Sequence, residues 1–142
     1  MIGDYNVTPM TKTDIPKGYK KLNITQPHIA ELGPGYYKKE DDKLVLAFYV
    51  DKQNCNATGN AHGGMLMAIA DYALATTTMK NPKSLVVTVS FHSEFIQAAN
   101  LGELLEVRAS LIKEGKSLGF ARGQIKVADR IVLNFGGVVK KL

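Results

Sequence analysis

The chain has 142 residues, 45% hydrophobic and 22% charged, with a formal net charge of +5. That balance excludes a disordered chain, a collagen-like chain and a long coiled coil, and the size suits one domain around one core. The single cysteine, Cys55, excludes an intrachain disulfide framework and a four-thiolate zinc site.

Residues 1–25 are polar, contain two prolines and read as an N-terminal arm, followed by a single domain over residues 26–142. No apolar run of signal-peptide length stands at the start. The longest apolar-rich stretch, Met65 to Ala75, has 11 residues and carries Asp71. A membrane helix needs about 20, so the expectation is a cytoplasmic protein without a membrane partner. Gln26 to Leu32 predicts a short helix stopped by Gly33-Pro34-Gly35. Tyr36 to Lys39 and Leu44 to Val50 read as a hairpin around Glu40-Asp41-Asp42, and Asp51 to Ala61, rich in Asn and Gly, as a loop.

From Gly63 to about Met79 the pattern is a helix apolar nearly all round, which must be buried on most sides. Asn81-Pro82 ends it. Four strands follow, over Ser84–Ala98, Glu103–Lys113, Ser117–Val127 and Arg130–Lys140. Their connections are too short for parallel crossovers, so they pair antiparallel. A sheet must cover its apolar face, and the only element able to do so is the long helix. The fold class is therefore α+β, a curved antiparallel sheet wrapped around one central helix.

Charge is uneven. Residues 101–142 hold eight Lys/Arg against four Asp/Glu. This is either a solvated surface or an attraction for an anionic partner, and a phosphate-bearing small molecule fits better than nucleic acid. There is no zinc-finger spacing, no dense basic helix and no basic stripe interleaved with aromatics.

Asp71 carries the most information about chemistry. A carboxylate in the middle of an apolar helix either marks a solvated point, pairs with an arginine, or serves as a general base or nucleophile in a cleft. Asn60-Ala61-His62-Gly63-Gly64 opens the same helix, where free N–H groups and the positive dipole end gather. Its glycines either satisfy a loop-to-helix joint or aim the Gly63 N–H at a carbonyl that gains negative charge. Gly63 and Asp71 are eight positions apart, or roughly 12 Å along one helix. If both act on one substrate, two copies of the helix must meet, and the protein is a homo-oligomer with equivalent sites at its interface.

On the strand that follows, Leu85, Val87, Val89, Phe91 and Phe95 are expected on one face and Thr88, Ser90, His92 and Glu94 on the other. The polar set is either an outer solvated face or brings Thr88 or Ser90 into the cleft. A Cys55–His62 thiol pair has nothing to lower the thiol pKa. His62, Asp71 and His92 match no familiar metal spacing, so no metal is expected. Gly115-Lys116-Ser117 lacks the first glycine of a phosphate loop.

Taken together, Cys55-Asn56-Ala57-Thr58-Gly59-Asn60-Ala61-His62-Gly63-Gly64-Met65-Leu66 followed by Ala70-Asp71 resembles the hotdog-fold acyl-coenzyme A thioesterases, in particular the phenylacetate-pathway-type (PaaI-like) branch. The likeness extends over about residues 30–140, through Leu85-Val86-Val87-Thr88-Val89-Ser90-Phe91 and Gly115-Lys116-Ser117-Leu118-Gly119-Phe120. It departs at His92-Ser93-Glu94, more polar than expected there. The resemblance implies the hotdog fold and hydrolysis of acyl- or aryl-coenzyme A to a carboxylate and free coenzyme A. It implies Asp71 as base or nucleophile, Gly63 as backbone donor to the thioester carbonyl, Asn56 as orienter of water or substrate, and Thr88 as a hydroxyl placing the attacking water. His62 is implied as a brace for the loop. Gly64, Ser90, His92, Gly115, Lys116 and Ser117 fall on the substrate or coenzyme A side. The implied assembly is a homodimer or homotetramer, with no cofactor beyond the coenzyme A of the substrate. The alternative on the same fold is a non-catalytic acyl-coenzyme A binding or sensing module.

Overall fold

A computed structural model describes residues 14–142. The arm's first 13 residues lie outside the described residues, but its remainder is more than a loop. Lys20–Lys21 (β1) pairs antiparallel with Gly35–Glu40 (β2), and Leu22 and Ile24 pack against the core. Tyr19 is buried and donates its hydroxyl to Glu106. Between these strands runs a short helix, Pro27–Glu31 (α1), with proline in its first turn where the missing N–H costs nothing.

β2 returns through a two-residue turn into Lys43–Tyr49 (β3). Asp41 and Asp42 both take positive φ, 48° and 62°. Such turns match the right-handed twist of the flanking strands, and aspartate tolerates that conformation better than most side chains. The loop after β3 folds into a 3₁₀ turn at Lys52–Asn54 and leads to the long helix Gly63–Thr78 (α2). The last four strands are Val86–Phe95 (β4), Leu104–Glu114 (β5), Leu118–Val127 (β6) and Arg130–Lys141 (β7). All pairings are antiparallel, and the seven strands lie in the order β1-β2-β3-β5-β6-β7-β4.

The inner face of this sheet packs on α2, through Met65, Leu66, Ile69, Ala70, Tyr72, Ala73 and Leu74. Phe48, Leu105, Val107, Ile125, Leu133 and Val139 meet them from the strands. α2 is less completely covered than its composition suggests. A stripe of Gly64, Ala68, Asp71 and Ala75, spaced three or four residues apart, with Met67 beside it, stays at least partly exposed.

The expected alternation along β4 fails at one place, and the cause is a bulge. The register against β7 shifts between Thr88 and Ser90, so Val89 has no partner. Thr88 sits opposite Val139 and Phe91 opposite Gly137, on the side of α2, while Ser90, His92 and Glu94 sit opposite Val138, Gly136 and Asn134 on the outer side. Thr88 and Phe91, expected on opposite faces, therefore share the inner one. Phe95 follows them inward, opposite Leu133. β4 ends the sheet, with one edge unpaired among the described residues.

Candidate active site

The loop before α2 is built from its own asparagines. Asn54, buried, donates from its side-chain amide to the Leu32 carbonyl, and its Oδ1 accepts the Asp51 N–H. Its backbone carbonyl takes the His62 N–H at 2.7 Å. Asn56 works the same way two residues on: its Oδ1 accepts from the Thr58 N–H, the Thr58 hydroxyl and the Asn60 N–H. Short polar side chains closing turns on neighbouring backbone are what such a loop needs in place of a core. With its Oδ1 committed, Asn56 has amide N–H groups that meet no acceptor among the described residues.

His62 is the N-cap of α2. Its Nδ1 accepts the Gly64 N–H at 2.8 Å, so the proton of a neutral ring sits on Nε2. The first turn of a helix leaves N–H groups unpaired; His62 takes that of Gly64, and no acceptor among the described residues reaches that of Gly63. A pocket of about 400 Å³ adjoins this point, lined by Asn56, Gly63, Leu66, Phe95, Ile96 and Gln97 among others. The Phe95 ring stands against Gly63: a Cβ there would lie 3.0 Å from its Cε1.

Asp71 lies two turns further along the same unbroken helix, half-buried. The Thr88 hydroxyl donates to its Oδ1 at 2.6 Å. The bulge in β4 allows this contact, because it keeps Thr88 on the inner face while releasing the strand beyond it. Asp71 does not line the Gly63 pocket. Within the chain, Asn56 and Gly63 are thus together, Thr88 and Asp71 are together, and the two pairs are apart.

Ser90 and His92 are not brought to either pair, since both face outward from the sheet. Gly115, Lys116 and Ser117 form the β5–β6 turn, where the Gly115 N–H donates to the Leu118 carbonyl and Lys141 Nζ to the Gly115 carbonyl. Gly119, just beyond, packs against Thr78, so this turn lies at the end of α2 opposite Gly63. The Cys55 thiol points at the Asp51 carbonyl, and burial pushes its pKa up, away from nucleophilic use. Sequence reading gave Phe95 the apolar face but not a place in the pocket, and it missed Gln97, which lies just past the end of β4 with no pattern to mark it. It missed Asn54 because nothing in an Asn-rich run marks the one that is buried.

The family model of the thioesterase superfamily matches residues 58–133, the stretch from the α2 loop into β7. The chain is 32% identical over 128 residues to PA0474 of Pseudomonas aeruginosa, an esterase by name, covering 88% of this chain and 96% of that one. It is 31% identical over 84 residues to acyl-coenzyme A thioesterase 13 of Mus musculus, covering 56% of this chain and 58% of that one. In fold it is similar to the Escherichia coli PaaI protein of the phenylacetic acid degradation operon. The TM-score is 0.71 at 22% identity, over 83% of this chain and 86% of that one.

Proposed function

The chain belongs to the thioesterase superfamily, and from that premise we propose that it hydrolyses acyl- or aryl-coenzyme A thioesters at sites shared between two copies. The fold is the α+β hotdog arrangement of that superfamily, and the general activity is thioester hydrolysis.

One observation carries the shared site. Gly63 with its unpaired N–H and Asp71 with its Thr88 partner are fixed on one continuous helix, about 12 Å apart along its axis. A general base must reach the reacting group directly or through one water. A second α2, antiparallel to the first, brings the Gly63 of one protomer to the Asp71 of the other. In the partly exposed stripe, Gly64, Ala68 and Ala75 have the small side chains that let two such helices approach. The free edge of β4 gives the two sheets a place to join.

In this reading the thioester carbonyl docks at Gly63 beside the free amide of Asn56. As the carbonyl carbon becomes tetrahedral its oxygen gains negative charge, and an N–H already aimed at the helix end stabilises it without reorganisation. Asp71 of the partner takes a proton from water as the water adds, or its carboxylate adds directly to give an anhydride that water then opens. In either course the C–S bond breaks, and the thiolate of coenzyme A leaves and is protonated. Thr88 holds one oxygen of Asp71, leaving the other for water or the acyl carbon. His62 keeps the Gly64 amide occupied and the helix entrance in shape. The exposed Lys116, in the turn at the far end of α2, is available to the phosphates of coenzyme A. The scheme uses no metal or prosthetic group. The assembly is a homodimer, or a tetramer of two such dimers, acting in the cytoplasm.

Complementation tests the shared site. Gly63→Pro deletes the N–H at a helix position proline accepts, and His62, at φ −65° and ψ 138°, already has the extended conformation that precedes proline. Gly63→Ala, whose Cβ crowds the exposed Phe95 ring in the same way but keeps the N–H, is the control and should retain most of its activity. Gly63→Pro and Asp71→Ala homodimers should each release almost no thiol from acyl-coenzyme A. Refolded together in equal amounts, they should recover about a quarter of wild-type activity, because each mixed dimer has one intact site of two. A mixture as inactive as its parents overturns the reading, as does an Asp71→Ala enzyme with full turnover. Tight binding of acyl-coenzyme A by the wild type without thiol release would mark a sensing module instead.

A further inference from the structure

We propose that the outer face of the sheet, opposite α2, carries a second site that takes a small molecule bearing two or more phosphate groups. The site is a trough of about 650 Å³, larger than the pocket at Gly63, across β5, β6, β7 and β4. Its rows follow from strand register. Ser110, Arg122, Gly136 and His92 lie side by side in one row, and Arg108, Gln124, Asn134 and Glu94 in the next. Gly136 leaves the middle of the first row open, and the His92 ring leans over it. Lys43 and Lys126 complete the lining.

Apart from Arg108, the basic side chains that line the trough have no carboxylate partner among the described residues, and they share one concavity. The chain has three arginines. Arg130 is paired with Glu103, and Arg108 holds Glu40 by two bonds, at 3.1 and 2.9 Å. Arg122 has no carboxylate within ion-pair distance among the described residues, nor do Lys43 and Lys126. Glu94 is the sole acidic side chain of the lining, and it pairs with none of them. Three like charges held in one concavity repel one another, and a multiply charged anion relieves that repulsion. Neutral donors are present too: the Ser110 hydroxyl and the Asn134 amide, whose Oδ1 is occupied by Gln124. Arginine with lysine, hydroxyl and amide is the donor set that phosphate oxygens use.

A second copy of the chain fits less well, because a two-fold contact would set this positive patch against itself. Single-stranded nucleic acid would need a series of exposed aromatic rings for its bases, and the lining offers a buried Phe135 and one exposed imidazole, His92. Nothing in this site depends on thioester chemistry.

Titration calorimetry of the full chain with inorganic pyrophosphate tests the site. Saturable binding at one per chain is expected, weakening with salt, and at least tenfold weaker in Arg122→Gln/Lys126→Gln. Thioester hydrolysis without pyrophosphate should be unchanged in that variant. Adenosine diphosphate and free coenzyme A serve as parallel titrants, to separate nucleotide polyphosphates from the substrate's own phosphates. Absent or variant-insensitive pyrophosphate binding overturns the proposal. So does a raised KM for acyl-coenzyme A in the variant, which would assign the trough to the substrate. Dissociation of a wild-type tetramer by Arg122→Glu would assign it to a subunit contact, and retention of single-stranded DNA in preference to pyrophosphate would assign it to nucleic acid.

Discussion

Thr88 on β4 donates its hydroxyl to Asp71 on α2 at 2.6 Å, tying the edge strand to the central helix at the carboxylate. The hydrogen bond fixes which oxygen of Asp71 is engaged and how the other is presented. Thr88→Val keeps the β-branched shape and deletes the donor. A hydrogen bond to a charged group contributes about 1.5–3 kcal/mol, so kcat should fall roughly ten- to a hundredfold. KM should change little, and Thr88→Ser should recover most of the loss. Steady-state thiol release measures all three. An undiminished kcat in the valine variant would show that the contact plays no part in turnover.

His62 and Asp71 make different predictions although both are polar residues of one helix. The imidazole is spent on capping the Gly64 N–H, so its loss should appear mainly in stability. Removing an N-cap costs about 1 kcal/mol, a few degrees of melting temperature for a domain of this size. His62→Ala should show that drop with a loss of activity of only a few-fold, and His62→Asn, whose carbonyl caps well, should restore the melting temperature. Near-complete loss of turnover in both variants at normal stability would make His62 the base.

Most of the architecture was legible because periodicity and turn chemistry agreed. The apolar run from Gly63, the Asp41-Asp42 turn and the short connections among the last strands each allowed one arrangement. Asp71 stood out because a carboxylate there contradicts its surroundings. The faces of β4 were legible only past Val89, where Ser90, His92 and Glu94 lie outward and Phe91 and Phe95 inward. Strict alternation put Thr88 with Ser90 and His92, but the bulge at Val89 comes from pairing with β7, a strand some fifty residues away in the chain. The arm was equally opaque: Tyr19 is buried because Glu106 and Lys38 lie where its ring lands, and no local pattern announces that.

Acid pH offers a test of the outer face. The Arg108 guanidinium, helped by Lys38, holds the Glu40 carboxyl down to about 2 from an ordinary 4.5. A carboxylate depressed in the folded state adds stability that is present above its unfolded pKa and is lost as pH falls through the folded one. Glu40 should therefore contribute above pH about 4.5 and lose that contribution on the way to about 2. Glu40→Gln should be less stable than wild type at neutral pH, with the two curves converging across that window. Urea denaturation at a series of pH values measures it, and parallel curves would mean that the pair is not formed.

The free edge of β4 bears on the whole scheme. Leu85, Val87 and Val89 are 69, 46 and 61% exposed in the single chain, an apolar row beside unpaired backbone donors and acceptors. Soluble proteins rarely leave such an edge bare, because it templates pairing with another strand. If it joins two protomers, lysines at Leu85 and Val87 block the joint and leave the bulge at Val89, which holds Thr88 on Asp71, unchanged. Leu85→Lys/Val87→Lys should sediment as a monomer and keep its circular dichroism. Its thiol release should fall by orders of magnitude, since each protomer would hold a carbonyl cradle and a carboxylate that no longer meet. A monomer that still hydrolyses acyl-coenzyme A at the wild-type rate would place the whole reaction within one chain, and Gly63 and Asp71 could then not both serve it.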